Sequence, residues 1–207
     1  MMIKNPKIKE CVEKSLTDID DYEYTNYRFS GNVNKKIRIR DNTFDSCIFK
    51  GVNFDNIEIV DINLIDVIFE DCDLANKVFD NKLVSRVIFK NCKMIGTSFI
   101  NSLIKDVKFE ECICEFMNLS DARINSVLFD KCNLVDASFV ESDIKDIYFD
   151  RCKLCKTEFI GVNLKDVDLS SCDINGIVFD MKSLKGIVID RFQSDNIVGM
   201  FGVKIKE

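Results

Sequence analysis

Apolar residues recur at every fifth position along most of the chain, without interruption from Ile39 to Ile189. An α-helix places equivalent residues about 3.6 positions apart and a β-strand places them 2 apart, so neither period explains a repeat of five. A chain that turns a corner every five residues places each fifth side chain on the inside of a coil. The pattern therefore predicts an all-β solenoid.

A longer period of twenty residues lies over the first. The tetrapeptide FEDC at Phe69 returns at this interval as FKNC, FEEC, FDKC and FDRC, and more weakly as LSSC. Four corners of five residues make one circuit of twenty, so equivalent residues of successive coils should pair as parallel strands roughly 4.8 Å apart. Two residues before the central positions the chain places small, β-branched or cysteine side chains. The predicted cysteine ladder consists of Cys72, Cys92, Cys112, Cys132, Cys152 and Cys172.

The repeat divides the chain into three segments. We assign residues 29–189 to the solenoid, residues 1–28 to a capping segment over the first coil, and residues 190–207 to a C-terminal helix and strand. One proline and eight glycines among 207 residues leave no candidate linker to a second domain. Lys77, Lys82 and Lys182 occupy inward positions. Because a buried unpaired amine is costly, we expect local bulges there, with the amines reaching solvent.

Ten cysteines and no histidine limit the possible chemistry. Six cysteines stand one per coil with parallel side chains, which favours packing over disulfides or metal ligation. We expect no metal, no cofactor and no catalytic residues, because the chain also lacks a glycine-rich phosphate loop. Reduced thiols, together with no secretory signal and no membrane-spanning run, predict a cytoplasmic protein.

The C-terminal tail is too apolar to be a solvated end. Ser194 or Asp195 could cap a short helix there. A second copy of the chain is the expected cover, since an open solenoid end needs capping. The expected dimer interface comprises Phe192, Ile197, Val198, Phe201, Val203 and Ile205.

The net charge of −6 is unevenly distributed when outward positions are sorted by side. The side built on Phe79, Phe99, Leu119, Phe139, Phe159 and Phe179 is predicted to carry acids and no outward base. Its acids are Glu58, Asp61, Asp80, Asp121, Glu141, Glu158 and Asp180. They recur about every 4 Å, close to the ~3.4 Å phosphate spacing of one DNA strand. The stripe is either a DNA-like surface or a solvated face.

A second outward ladder is apolar. It contains Ile48, Ile68, Ile88, Leu128 and Tyr148. These residues either reflect strand propensity or form a contact patch.

The five-residue register and the segments NLSDARI and DASF resemble the pentapeptide-repeat family, whose fold is a right-handed quadrilateral parallel β-helix. RFSG, TFDSCIFKGVNF and the tail LKGIVIDRFQSDNIVGMFGVKI look like its quinolone-resistance (Qnr) branch. That resemblance implies a homodimer joined through its C-terminal helix, which binds DNA gyrase and topoisomerase IV and protects them from fluoroquinolones. The chain departs from the branch in a longer N-terminal segment and an unbroken register, so no residue of a projecting loop is carried over.

Two functions follow from these observations. One is a DNA-mimicking protein that binds type II topoisomerases. The other is a scaffold with an unrelated protein partner. In both, direct nucleic-acid binding and membrane binding are not expected.

Overall fold

The computed structural model describes residues 3–19 and 23–204. The strands are β1 Val12–Glu13, β2 Glu23–Thr25, β3 Tyr27–Ser30, β4 Ile37–Arg40, β5 Thr43–Asp45, β6 Ile48–Lys50, β7 Ile57–Val60, β8 Asn63–Glu70, β9 Leu83–Lys90, β10 Leu103–Glu110, β11 Arg123–Asp130, β12 Asp143–Asp150, β13 Glu158–Phe159 and β14 Val178–Phe179. The helices are α1 Met181–Leu184 and α2 Ser194–Met200, with 3-10 turns at Leu16–Asp18 and Arg191–Gln193.

Successive coils pair as parallel strands in the twenty-residue register that the sequence predicts. Phe69 lies opposite Phe89, Phe89 opposite Phe109, and Phe109 opposite Phe129. The main sheet runs in the order β1-β3-β6-β8-β9-β10-β11-β12, and isolated parallel bridges connect the coils elsewhere. The fold class is confirmed: the chain is a parallel β-solenoid of about eight turns with a short C-terminal helix.

The four sides of the coil are named here by their central residues. The mixed side is built on Phe49, Phe69, Phe89, Phe109, Phe129, Phe149 and Leu169, and the cysteine side on Leu74, Met94, Cys114, Leu134 and Leu154. The acidic side is built on Phe79, Phe99, Leu119, Phe139, Phe159 and Phe179, and the aliphatic side on Leu64, Val84, Ile104, Ile124 and Ile144. The long strands β8 to β12 cross the aliphatic side and then the mixed side.

Two phenylalanine columns form much of the core. On the mixed side, ring centroids of successive coils lie 4.5 Å to 5.4 Å apart between Phe49 and Phe149, with nearly parallel planes. The rings of the acidic side meet this column edge-on, as Phe139 does against Phe129 at 6.0 Å and 82°. Both geometries are favourable for aromatic pairs. The ring spacing within a column follows the distance between paired strands.

The corners explain why the period is five. At almost every fifth residue the backbone turns with a positive φ, for example 54° at Asp66, 56° at Asp71 and 57° at Asn76. Asp, Asn and Gly tolerate this left-handed conformation better than other residues, and they hold many of the corners. Bulkier residues hold others, including Phe116 at 57°. The coil therefore imposes the corner even where the local residue does not favour it.

The cysteine ladder is buried, and its thiols are free. Each sulfur donates to a backbone carbonyl 23 residues earlier, as in Cys112 Sγ to Phe89 O at 3.3 Å and Cys132 Sγ to Phe109 O at 3.3 Å. Thr97 Oγ1 makes the same bond to Leu74 O at 3.0 Å on another side. The neighbouring thiol of Cys112 raises the pKa of Cys92 to about 12. The ladder thiols therefore act as packing groups and hydrogen-bond donors.

Parallel pairing begins before residue 29, where the sequence pattern places the start of the solenoid. Val12 pairs with Tyr27, and Tyr24 pairs with Phe44. Residues 3–11, hereafter the strap, lie along the solenoid rather than over its first coil. The backbone N–H of Lys4 reaches a carboxylate oxygen of Asp106, 102 residues away.

The irregularity expected at Lys77 and Lys82 is present, and it forms a seam on the acidic side. There β7 pairs with β4 in a separate two-stranded sheet, and parallel bridging resumes at Val78 and Ser98. The amine of Lys77 donates to the Ile57 carbonyl at 3.0 Å, and the residue is half-buried. Lys82 forms an ion pair with Asp61. Each inward lysine is thus compensated by a polar group of the preceding coil.

The last coil also departs from the unbroken pattern. Residues 181–184 form α1, with exposed Lys182 donating to the carbonyl of Gly161. Asp190, and not Ser194 or Asp195, caps the turn that leads into α2, through a capping box with Gln193. Gln193 is 9% exposed, and its Nε2 donates to Leu169 O at 2.9 Å and Cys172 O at 2.6 Å, which closes the end of the coil. No strand follows α2 as far as Lys204, where the described part ends.

Candidate functional surfaces

The acidic side carries the predicted acids, but they are not equivalent. Two belong to ion pairs. Glu58 lies 3.3 Å from Arg38, because β4 and β7 place these two residues opposite each other, and Asp61 is paired with Lys82. The hydrogen bond from Lys82 lowers the pKa of Asp61. The expectation that this side has no outward base is therefore wrong at its first coils, where Arg38 and Arg40 belong to the same strand.

Two further acids have structural roles. Asp80 accepts hydrogen bonds from the Ser98 hydroxyl at 2.5 Å and the Ile100 N–H at 2.8 Å in the next coil. Asp180 caps α1 by accepting from the Ser183 N–H and hydroxyl, both at 2.7 Å. These bonds, chiefly the one from the Ser183 backbone, lower the pKa of Asp180 to about 2. Both carboxylates are held against the coil by these hydrogen bonds.

The remaining three acids, Asp121, Glu141 and Glu158, are exposed on successive coils. Within the described ranges, none of them has an ion-pair partner. The Glu141 carboxylate lies over the backbone of Gly161, where a Cβ atom would collide with it. The glycine at this positive-φ corner therefore makes room for the glutamate of the coil below. These three residues form the uncompensated centre of the stripe.

Several acids on the other sides are paired with cations of neighbouring coils. Cross-coil ion pairs link Lys50 with Glu70 at 2.9 Å, Lys93 with Asp73 at 2.9 Å, Lys131 with Glu111 at 3.1 Å, and Arg151 with Asp130 at 3.3 Å. Each exposed pair contributes little to stability. These pairs offset part of the negative charge outside the acidic side.

The C-terminal tail presents several large apolar groups. Phe192 is 89% exposed, and Phe201 and Val203 are each 54% exposed. Ile197 packs against the core and Val198 is half-buried, so they anchor α2 on the last coil. Ile205, the remaining residue of the expected dimer interface, lies outside the described residues.

The corner between the aliphatic and mixed sides is a polar site that the sequence reading missed. Asp66 and Asp106 are each 5% exposed there, and Arg86 lies between them and holds Asp66 with bonds of 2.6 Å and 2.7 Å. The strap covers this corner through the backbone N–H groups of Lys4 and Lys7. The usable signal in the sequence was the order Asp66, Arg86 and Asp106 at twenty-residue spacing, which places a cation between two acids at one corner position.

The apolar outward ladder lies beside this corner. Its first three members and Leu128 are half-buried, and Tyr148 is 41% exposed. Leu128 and Tyr148 line a groove together with Ile3 of the strap. This placement favours the contact-patch interpretation of the ladder.

Metal ligands and membrane-spanning segments are the two remaining features of interest. No group of three or more metal-ligating side chains occurs within residues 3–19 and 23–204. In the same ranges, no helix has the length and apolar character needed to cross a bilayer.

Comparison with known proteins gives a family and no curated relative. No curated protein matches the chain. Among solved structures, a trypsin-treated variant of QnrB1, described as a plasmid-mediated fluoroquinolone resistance protein, is 17% identical, with 95% of this chain and 100% of that chain covered and a TM-score of 0.40. HetL from the cyanobacterium Nostoc sp. strain PCC 7120, described as involved in heterocyst differentiation regulation, is 14% identical, with 81% and 89% covered and a TM-score of 0.40. A pentapeptide repeat protein of the Arabidopsis thaliana thylakoid lumen is 16% identical, with 63% and 83% covered and a TM-score of 0.36.

These similarities do not separate one function from another. The family model described as the pentapeptide repeat region matches residues 62–139 and 122–197, which is more than half of the chain. With its five-residue corners, twenty-residue strand register and stacked phenylalanine core, the chain belongs to the pentapeptide-repeat family.

Proposed function

We propose that this protein is a non-catalytic, cytoplasmic DNA mimic that binds the type II topoisomerases DNA gyrase and topoisomerase IV and protects them from fluoroquinolones. The observation that carries the proposal is the uncompensated charge of Asp121, Glu141 and Glu158 on successive coils. Asp80 and Asp180 extend the same line of charge, although each is tied to the coil. The likeness of RFSG and of the tail from Leu184 onward to the Qnr branch supports the choice of topoisomerase as partner.

The physical basis is charge complementarity with a basic DNA channel. Exposed acids recur at about one per coil, roughly every 4.8 Å, over the centre of the stripe. This is sparser than the sequence alone suggests, because Glu58 and Asp61 are neutralised. A DNA-binding surface has evolved to attract such a line of negative charge, and the attraction increases the rate of encounter.

The decisive test reverses four carboxylates together: Asp80→Lys, Asp121→Lys, Glu141→Lys and Glu158→Lys. We expect loss of gyrase and topoisomerase IV binding, measured by competition with DNA at several salt concentrations. Binding by the unmodified chain should weaken steeply with salt, because the attraction is electrostatic. Circular dichroism checks that the variant still folds.

The matched control reverses four acids of the mixed side: Glu70, Glu110, Asp130 and Asp150. Several of these are already neutralised by Lys50 or Arg151, so their reversal should weaken binding much less. If both folded variants compete for gyrase and protect it equally well, the acidic side is only a solvated face.

We also propose that the chain is a homodimer joined by its C-terminal tail. Phe192 and Phe201 are exposed beside α2, and such groups are usually covered in solution. The substitutions Phe192→Asp, Ile197→Asp and Phe201→Asp should yield monomers by light scattering. A Phe192→Asp and Phe201→Asp pair, which leaves the core-facing Ile197 intact, separates dimer loss from unfolding of the end. An unchanged dimer mass in the folded pair would refute this interface.

The second candidate is a scaffold protein with an unrelated partner. It is favoured by the ion pairs of Glu58 and Asp61, which shorten the DNA-like stripe. Absence of competition between the unmodified chain and DNA for gyrase would support it.

A further inference from the structure

The strap is held against the solenoid in the way that a bound peptide is held. Its backbone N–H groups donate to carboxylates, from Lys7 to Asp66 at 2.9 Å and from Lys4 to Asp106 at 3.2 Å. The amine of Lys108 donates to the side-chain oxygen of Asn5 at 2.7 Å. The accepting aspartates are 59 and 102 residues away in sequence. Bonds through the backbone of an extended segment are typical of peptide recognition.

The strap matches the repeat of the coil. Lys4 and Lys7 are three residues apart, which in extended chain spans about 10 Å. Asp106 and Asp66 are two coils apart, which is also about 10 Å. The spacing of Lys4 and Lys7 therefore matches the spacing of the two aspartates that accept from them. Ile3, Pro6, Ile8 and Cys11 are half-buried on it, while the lysines between them are exposed.

The same corner continues beyond Ile3 toward the C-terminal end of the solenoid. A groove of about 590 Å³ follows there, with Ile3 at one end and an apolar floor that includes Leu128 and Val167. Its rim carries Asp166 and Asp168. Asp166 occupies the corner position that Asp66 occupies one hundred residues earlier.

The groove is acidic. Asp166 and Asp168 are exposed, and neither belongs to an ion pair among the described residues. Asp150 also lines it and pairs with Arg151 at 2.6 Å, a cation that it shares with Asp130. An apolar floor with an acidic rim is complementary to a segment that alternates apolar and lysine side chains, which is the composition of the strap itself.

We propose that this corner is a peptide-binding groove, filled over its first part by the strap, and that its continuation beyond Ile3 binds an extended lysine- and isoleucine-bearing segment of a partner protein. The bound segment lies along the coil axis in line with the strap. Its apolar side chains contact Leu128 and Val167, and its lysines lie near Asp166 and Asp168. This surface is diagonally opposite the corner between the cysteine and acidic sides, so it is distinct from the proposed topoisomerase surface.

The test uses the full chain and a labelled synthetic peptide that copies residues 3–9, Ile-Lys-Asn-Pro-Lys-Ile-Lys. We expect saturable binding by fluorescence anisotropy, which weakens with salt. The pair Leu128→Lys and Asp166→Lys should weaken it by roughly tenfold or more, because it removes floor and charge together. A peptide with both isoleucines replaced by aspartate should not bind.

The matched control pair is Ile113→Lys and Asp136→Lys, again one outward aliphatic residue and one corner aspartate. Asp136 has a φ of 56° and Asp166 a φ of 64°, so the two substitutions meet similar backbone. The control pair should bind the peptide as the unmodified chain does. Absence of saturable binding, or equal loss in both pairs, overturns the proposal.

Two other occupants are distinguished by the same experiment. If binding responds to Asp106→Lys and not to the Leu128 and Asp166 pair, the peptide replaces the strap, and the continuation is not a site. If the Leu128 and Asp166 pair changes the protein's own sedimentation coefficient and not peptide binding, a second copy of the chain occupies the groove. Either result contradicts a partner segment.

Discussion

The mixed side and the acidic side have the same interior and different exteriors. Both place a phenylalanine column at the centre of the coil, and the two columns meet edge to face. On the mixed side, acids such as Glu70 and Asp130 are neutralised by cations of the neighbouring coil. On the acidic side, Asp121 and Glu141 have no such partner within the described ranges. The repeat thus specifies the fold through its inward positions and leaves the outward positions available for recognition.

The largest expected effects test the shared interior. Phe109→Ala on the mixed side and Phe139→Ala on the acidic side should each destabilise the chain by about 3–5 kcal/mol, because each removes a fully buried ring from a packed column. Chemical unfolding measures both values. If one substitution lowers the free energy of unfolding by several kcal/mol less than the other, the two interiors are not equivalent.

An intermediate effect is expected at the seam, where the acidic side loses its backbone ladder. Replacing Lys77 by Thr and Lys82 by Ser gives these positions the residue types of Thr97 and Ser102 in the next coil. We expect a gain of about 1–2 kcal/mol in the free energy of unfolding, since each restored backbone hydrogen bond contributes about that order. The change also frees Asp61 from its ion pair, so it should lengthen the uncompensated stripe.

The control for the seam is Lys93→Ser, which removes an exposed lysine that pairs with Asp73 on the cysteine side. It should change stability by less than about 1 kcal/mol. Equal effects of the seam pair and the control would indicate that the inward lysines are not the cause of the interruption.

The smallest expected effect concerns Asp180, the last acid of the stripe, which is hydrogen-bonded to Ser183 in α1. The folded pKa of Asp180 is lowered to about 2, whereas an unperturbed aspartate titrates near 3.9. Its contribution is therefore present above about pH 4 and is lost as the pH falls toward 2. The melting temperature of the unmodified chain should fall through this interval relative to that of Asp180→Asn. A constant difference between the two from pH 5 to pH 2 would contradict the capping role.

The inward positions made most of the fold predictable. Neither a helix nor a strand has a period of five residues. The apolar positions at this period, such as Phe69 and Phe89, therefore predict the coil, the strand register and the cysteine ladder. The seam was also predictable, because Lys77 and Lys82 occupy positions where an amine needs a partner. Their actual partners, the Ile57 carbonyl and Asp61, depend on side-chain reach across coils, which a register does not supply.

The repeat does not predict the less regular parts of the chain, for identifiable reasons. Leu184 is apolar and keeps the five-residue period although it belongs to α1. The period therefore gives no sign of the helical turn. The pairing of Arg38 with Glu58 involves a coil that precedes the most regular repeats. The path of the strap depends on contacts between residues about one hundred positions apart, such as Lys4 and Asp106. Local periodicity carries no information about such contacts.

That separation has a consequence for the order in which the chain is made. Nearly all of the remaining contacts between coils join residues about twenty positions apart. Each coil can therefore close soon after its own residues leave the ribosome. The strap is made before the coils, yet its bond to Asp106 must wait for about one hundred further residues. At typical translation rates this delay is roughly 5–20 seconds. A segment that is synthesised before the solenoid is therefore among the last parts to reach its final position.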